Sequence, residues 1–216
     1  MTEGVGTEDI GLSEDAMKAA VETAHSRGAR VTAHATGLAG ARSAVRAGVD
    51  SLEHGFLLDL ELVQEMAHRG TILVPTLSAM SGLLQKSADL PTWAVDKVKK
   101  AKRGADRSLA IALEHNVRIA AGTDSGTPLN PHGGLPNEIR LLVEAGLPLS
   151  QALCAATSTA AENLGLADSV GMVRVGLDAD LLLLDHNPLK STDALTRINA
   201  VVQAGRVRRP GQVIEA

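Results

Sequence analysis

Aromatic side chains are nearly missing: the 216 residues hold one Phe, one Trp and no Tyr. That argues against a base-stacking surface for single-stranded nucleic acid and against an aromatic platform for sugars. Cysteine is as scarce. Cys154 is alone, so no disulfide forms within the chain, and a cytoplasmic setting fits. Charge of one sign does not dominate. A net charge of −4 gives no electrostatic reason to expect nucleic acid or an anionic membrane as partner. Long apolar runs are missing too: stretches such as "ADLLLLD" fall far short of the ~20 residues that span a bilayer. The opening "MTEGVGTEDI" has no basic region followed by an apolar one, so no signal peptide is expected. What remains is a chain with 44% hydrophobic residues, long enough for one or two domains with a real core.

One plan recurs four times: a helix, a short break, an apolar strand, then a polar strand end. "LSEDAMKAAVETAHSRG", with Ser13 as N-cap and Gly28 as stop, leads into "ARVTAHATG". "LAGARSAVRAG" leads into "VDSLEHG", and "DLELVQEMAHRG" into "TILVPTLS". "WAVDKVKKAKRGADRSLAIALEHN" leads into "VRIAAGTDSG". Helices alternating with strands at this spacing predict parallel βα units, with strands covered on both faces. Between the third and fourth units, residues 76–92 read as one long loop, a lid over a site. "GGLPNEIRLLVEAG" and "PLSQALCAATSTAAENLG" read as two more helices. Residues 166–216, with Gly and Pro turns between short apolar runs, read as a small β structure outside the array.

Seven histidines need sorting. His25, His68 and His115 end predicted helices, where an imidazole meets the exposed carbonyls of the last turn. His186 reads as a turn residue. His34 and His54 end consecutive strands, and Asp124, in "AAGTDSG", ends the fourth. In parallel α/β architectures these ends share one face, where active sites lie. Two imidazoles and a carboxylate there make a divalent-metal constellation, zinc first. A buried Asp beside Gly122 and Gly126 would need a cation or hydrogen bonds. The competing reading makes His34 and His54 hydrogen-bonded core residues and Asp124 a helix cap. "GTDSG" alone does not decide between them, because Asp-Ser-Gly also makes good turns.

At these motifs the chain resembles a known family. "VTAHATG", "AGVDSLEHG", "AAGTDSGTP" and the tail "GMVRVGLDADLLLLDHNPL" resemble, in order, the amidohydrolase superfamily, in its imidazolonepropionase-like and prolidase-like branch. The resemblance implies a distorted (β/α)₈ barrel of the TIM type plus a small β-sandwich. His34 would close strand five, His54 strand six and Asp124 strand eight. His34, His54 and Asp124 would be metal ligands, and Asp124 also the catalytic base for the attacking water. A metal-bound water is acidic enough to ionise near neutral pH, and a positioned carboxylate can carry its proton to the leaving amine. His132, in "NPHGG", follows Asp124 on a loop and is read either as a substrate contact or as a plain loop residue.

The chain departs from that pattern in two ways. It shows four βα units where the barrel has eight, and a whole barrel takes roughly 250 residues. It also has no His-x-His pair, which the family carries at the end of strand one, and no lysine assignable to strand four. The expectation is therefore the C-terminal half of an amidohydrolase. Residues 1–165 would be a partial barrel, strands five to eight, and residues 166–216 a β-sandwich segment. The expected function is metal-dependent hydrolysis of amide-type C–N bonds in a small molecule: a dipeptide, an N-acyl amino acid or a cyclic amide. Manganese or cobalt could stand in for zinc. The alternatives are a non-catalytic relic or interaction module, and a phosphate or lactone ester hydrolase when complete. A half barrel has open strand edges, so a homo-oligomer or pairing with the missing N-terminal half is expected.

Overall fold

Helix ends follow the local chemistry. In the computed structural model, which describes residues 9–85, 91–127 and 129–208, the Ser13 hydroxyl accepts from the Ala16 N–H (3.3 Å) and opens α1 (Glu14–His25). α2 (Leu38–Ala47) buries Ala41, Ala44 and Val45, one stripe at helical spacing. α3 (Leu60–Arg69) starts where Asp59 accepts from the Leu62 N–H (2.9 Å) and stops at Gly70, whose left-handed φ of 75° a side chain would oppose. α3 turns Leu62, Val63 and Met66 into the core.

These helices alternate with β1 (Thr32–Ala35), β2 (Ser51–His54) and β3 (Ile72–Val74), a parallel sheet in that order. His34 lies opposite Glu53, and Ala35 opposite His54. Ser51 and Glu53 lie opposite Ile72 and Val74. Side chains alternate across a strand, so this register gives the sheet two unlike faces. Ala35, Leu52 and Leu73 join the large core under the helices. The other face carries Thr32, His34, Ser51 and Glu53, then Ile72 and Val74, which form a small cluster of their own with Ala120. The expectation of strands apolar on both sides holds for β3 and fails for β1 and β2.

The fourth strand is reduced to a single bridge, Leu73 with Ile119. Leu73 donates to the Arg118 carbonyl (2.9 Å) and Ala120 donates back to Leu73 (3.0 Å). The ladder stops there because its next bond would come from residue 75, a proline with no N–H to donate. The Ala121 amide faces away from β3 and donates to Ala155 of a helix (2.8 Å). Gly122 then passes so close to β3 that an added Cβ would lie 2.5 Å from the Val74 side chain. Among the described residues no strand pairs with the outer edge of β1.

The expectation of one long loop over residues 76–92 fails for residues 77–85. α4 (Leu77–Gln85) occupies them, with Leu77, Ser78, Ala79 and Met80 buried. The lid reading of residues 86–90 lies outside the described residues. α5 (Thr92–Glu114) crosses back over the core through Val98, Ala101, Ala105, Leu109 and Ala112. α6 (Leu135–Glu144) follows. The last helical stretch breaks into α7 (Leu149–Ala155) and α8 (Ser158–Asn163). Thr157 stands at the break, its hydroxyl donating to the Leu153 carbonyl (2.8 Å), a contact that competes with helix continuation.

The tail forms one antiparallel sheet, β4 (Leu181–Leu184), β5 (Ile198–Gln203) and β6 (Arg206–Arg208). A 3₁₀ turn at Thr192–Thr196 sends Leu195 into the main core. No helix among the described residues is long and apolar enough to cross a membrane.

The packing separates two leucines cleanly. Leu62 is 0% exposed and Leu182 47%. Leu62→Ala is expected to cost about 2–5 kcal/mol in urea unfolding, and Leu182→Ala about 1 kcal/mol or less. Equal costs would show that the helix-covered face is not the main source of stability.

Candidate functional site

The polar strand ends are where the backbone is strained. His54 has φ 72°, Thr76 φ 49° and Asp124 φ 54°, all left-handed and none a glycine. Such conformations cost of order 1–3 kcal/mol each and persist only where surrounding contacts enforce them. His54 and Thr76 follow or end adjacent strands, and Asp124 follows the bridge segment, so three of the six left-handed non-glycine residues among those described share one rim of the sheet; the other three are Asn116, Leu129 and Ala204.

The bend at His54 has a visible result. By strand alternation His54 would share a face with Ala35. Its left-handed backbone instead lets the ring meet His34: His54 Nε2 lies 2.8 Å from His34 Nδ1, with the rings edge-to-face at 4.4 Å. The other nitrogen, Nδ1, is 2.7 Å from the Thr76 hydroxyl. A neutral imidazole has one donor and one acceptor nitrogen, so these two contacts run in opposite senses. When Nδ1–H donates to Thr76, Nε2 is left with its lone pair facing His34.

His54 is neutral by environment. Burial holds its imidazole far below the usual value, at about 4; His34 pushes the same way and Asp124 opposes both. His54 is buried, whereas His34 is exposed on the open side of β1. Glu53, next to His54 in sequence, accepts from the Thr32 hydroxyl (2.7 Å). Burial raises its carboxyl above the ordinary value, Asp124 adds to the rise, and the Thr32 hydroxyl and His34 lower it.

Asp124 is exposed, not buried as the glycines around it suggested. Its charge is felt by both His54 and Glu53, so its carboxylate faces the same ground. It caps no helix, since α6 begins only at Leu135. Its backbone is fixed from below. The Asn130 amide donates to the carbonyls of Thr123 (2.6 Å) and Asp124 (2.9 Å), and the Thr127 hydroxyl to that of Asp124 (2.8 Å). Ser78, from α4, donates to the Thr123 carbonyl (3.1 Å). His132 is exposed, and a Cβ on Gly126 would lie 3.5 Å from its Nε2, which puts the ring two residues from Asp124. His25 and Asp50 pair (2.9 Å) away from these strand ends, in keeping with a helix-end histidine.

Whether these residues suit a metal can be tested on their donors. Among the described residues no three or more His, Cys, Asp or Glu side chains stand together closely enough to hold an ion. Two do converge, and they have the right chemistry. Their facing nitrogens sit 2.8 Å apart, one ring is kept neutral, and its far nitrogen is held by Thr76, as ligating imidazoles usually are. Nitrogens on a tetrahedral zinc at about 2.0–2.1 Å are roughly 3.3 Å apart, so the pair opens by about half an ångström to admit one. The imidazole pair has the donor chemistry a metal needs, and Asp124 reaches it only through its charge, without closing a third ligand position.

Sequence motifs name His34, His54, Asp124 and His132 and miss Glu53, Thr76, Ser78 and Asn130. Glu53 was within reach, because alternation along "SLEH" puts it on the face of His34. Thr76 and Ser78 hold partners twenty-two and forty-five residues away and have no local signature, whereas Asn130 reaches back only six and seven residues within its own loop.

Residues 2–209 match the model of the amidohydrolase family. A Mycobacterium tuberculosis protein is 35% identical over 205 residues, covering 92% of this chain and 53% of that protein. Ochratoxinase of Aspergillus niger is 32% identical over 201 residues, 88% of this chain and 39% of the enzyme. An imidazolonepropionase of Rhizobium rhizogenes is 27% identical over 180 residues, 82% and 40%. Among solved structures, a Xaa-Pro dipeptidase with bound methionine superposes with TM-score 0.85 at 32% identity, over 92% of this chain and 49% of that one. A prolidase candidate from Bifidobacterium longum gives 0.87 at 34%, over 98% and 55%. The chain thus spans about half the length of the relatives it matches. Its α/β fold resembles the domains of these enzymes, and the chain belongs to the amidohydrolase family.

Proposed function

We propose that this chain supplies strands five to eight of a metal-dependent hydrolase that cleaves amide-type C–N bonds in small molecules. Residues 1–165 form the barrel half in this reading, and residues 166–216 a segment of the smaller β domain. The observation that carries it is the imidazole pair, His34 Nδ1 to His54 Nε2 at 2.8 Å on the strained rim of the sheet. Dipeptides, N-acyl amino acids and cyclic amides are the substrate classes. The solved relatives named for Xaa-Pro dipeptide cleavage and for prolidase favour the first of these.

His34, His54 and Asp124 would hold the metal, zinc first. A bound zinc supplies a Lewis acid for the scissile carbonyl and lowers the pKa of its water. His54 enters this role already neutral and aligned by Thr76. Asp124, exposed and facing the same ground, takes the proton of the attacking water and returns it to the leaving amine nitrogen. His132, beside Gly126, contacts the substrate. Residues 1–216 contain no His-x-His pair and no lysine assignable to the family's strand-four ligand, and in this reading the full ligand set forms where a further segment lies along β1.

One observation favours a second reading, a non-catalytic interaction module. The outer edge of β1 has no strand partner among the described residues, and His34 is exposed there. A cavity of about 530 Å³ runs along this edge between Leu12, Met17 and Val21 on one side and Val31, Ala33 and His34 on the other. An unpaired edge beside an apolar cavity is what a complementary strand and helix would cover.

Elemental analysis of the purified chain tests the metal centre. About one zinc per folded chain is expected, lost in His34→Ala and in His54→Ala. A folded chain that takes up no zinc overturns the reading that these residues hold it unaided and leaves the interaction module.

The depressed His54 value fixes a pH dependence for the metal-free chain. The unfolded state binds a proton at 6.5 and the folded state only at about 4, so acid favours unfolding between them. Stability from this group rises as pH climbs from about 4 to 6.5 and is constant above. The full span is worth about 3 kcal/mol. Urea midpoints of the chain relative to His54→Gln are expected to follow that rise. A difference independent of pH would show that His54 titrates normally.

A further inference from the structure

Glu138 is the one acidic side chain in the described core that is 0% exposed. It sits on α6, remote in sequence from everything it touches. One carboxylate oxygen accepts from the Leu77 N–H (2.9 Å) and the other from the Ser78 N–H (2.7 Å), sixty-one and sixty residues away. Both are free amides of the first turn of α4, where backbone donors lack partners and negative charge is favoured. A neighbouring side chain near the turn would satisfy such donors at much smaller cost, because burying a carboxylate is expensive even when it is hydrogen-bonded. Burial does raise the Glu138 carboxyl above its ordinary value, against the pull of the Ser78 amide, the Ser78 hydroxyl and the Leu77 amide.

What α4 does at that end supplies a reason for this expense. The residue before it is Thr76, left-handed at φ 49°, whose hydroxyl holds His54 Nδ1. The second residue of the helix is Ser78, whose hydroxyl holds the Thr123 carbonyl, one residue before Asp124. The first turn of α4 therefore carries two arms, one ending on the histidine and one on the loop of the aspartate. Glu138 grips the backbone at the point where the arms part.

We propose that Glu138 is a positioning residue of the candidate site: by clamping the first turn of α4 it holds Thr76 in the bend that fixes the His54 tautomer, and holds Ser78 against the Asp124 loop. It touches neither imidazole and is not a catalytic residue. The inference builds on the assignment of His54 and Asp124 to the site, so it is read first without metal, where failure of metal binding cannot mask it.

The test is the tautomer of His54 in the full metal-free chain, read from two-bond ¹H–¹⁵N correlations of the imidazole. Glu138→Gln keeps the shape but turns one acceptor into a donor facing an amide, so one of the two contacts is lost. In a folded Glu138→Gln chain, His54 is expected to leave its single tautomer for a mixture. Glu144→Gln, on the exposed side of the same helix, is expected to leave it unchanged. Thr76→Val should reproduce the change, and Glu138→Gln/Thr76→Val should add nothing to it. Where zinc is bound, Glu138→Gln is expected to weaken it about 10–100-fold. Wild-type His54 signals in folded Glu138→Gln overturn the proposal and leave Glu138 a helix cap. So does a double variant whose effects add. Should Glu138→Gln fail to fold, Glu138→Asp, which keeps the charge and shortens the reach, is read the same way: a smaller shift supports the proposal and none overturns it.

Discussion

The register of β1 against β2 is the constraint on which the candidate site depends. His34 opposite Glu53 and Ala35 opposite His54 place both histidines at one level of the sheet. A slip of one residue would send His34 to the helix side and bring Ala35 or Ala33 to the polar rim. The register is held from the covered face, where Ala35, Leu52 and Leu73 pack under the helices. Apolar burial thus sets the address of polar groups that take no part in it. The left-handed bend at His54 completes the arrangement, turning a side chain meant for one face toward a ring on the other.

Bends of this kind need support, and the supports are polar and buried. Asn130 is 5% exposed and bridges the carbonyls of Thr123 and Asp124. Ser78 is 3% exposed and reaches the same loop. Glu138 is wholly covered and faces the turn beneath Thr76. Each satisfies backbone groups that would otherwise be stranded, and each does so at a position where the chain adopts a conformation it would leave if released. Three left-handed residues share this rim, and these buried polar groups hold the segments that carry two of them.

The half-length match to solved amidohydrolases bears on the open side of the sheet. β1 and β2 carry Thr32, His34, Ser51 and Glu53 on the face away from the helices, and Thr32 and His34 remain exposed. A closed barrel would shield that face. Polar residues there are tolerable in water and useful in a site, which reconciles a stable helix-covered core with a rim that lacks neighbours.

Much of this was legible in the sequence, and the division follows interaction range. Ser13 as a cap, Gly28, left-handed at φ 72°, as the stop after α1, the strand at each of three apolar runs and the family motifs around His34, His54 and Asp124 are signals within a few residues, which one chain displays openly. Tertiary structure decided the rest. It made residues 77–85 a helix where small and polar residues suggested a loop, because Leu77 and Met80 found a core and Glu138 capped the turn. It chose the residues that meet in the one bridge of the fourth run, Leu73 and Ile119. It left Asp124 exposed and brought His34 to His54 and His54 to Thr76, contacts across twenty and twenty-two residues. The sequence determined which groups exist and where the backbone can turn. Only packing decided which of them meet, because that depends on which distant atoms compete for the same hydrogen bond.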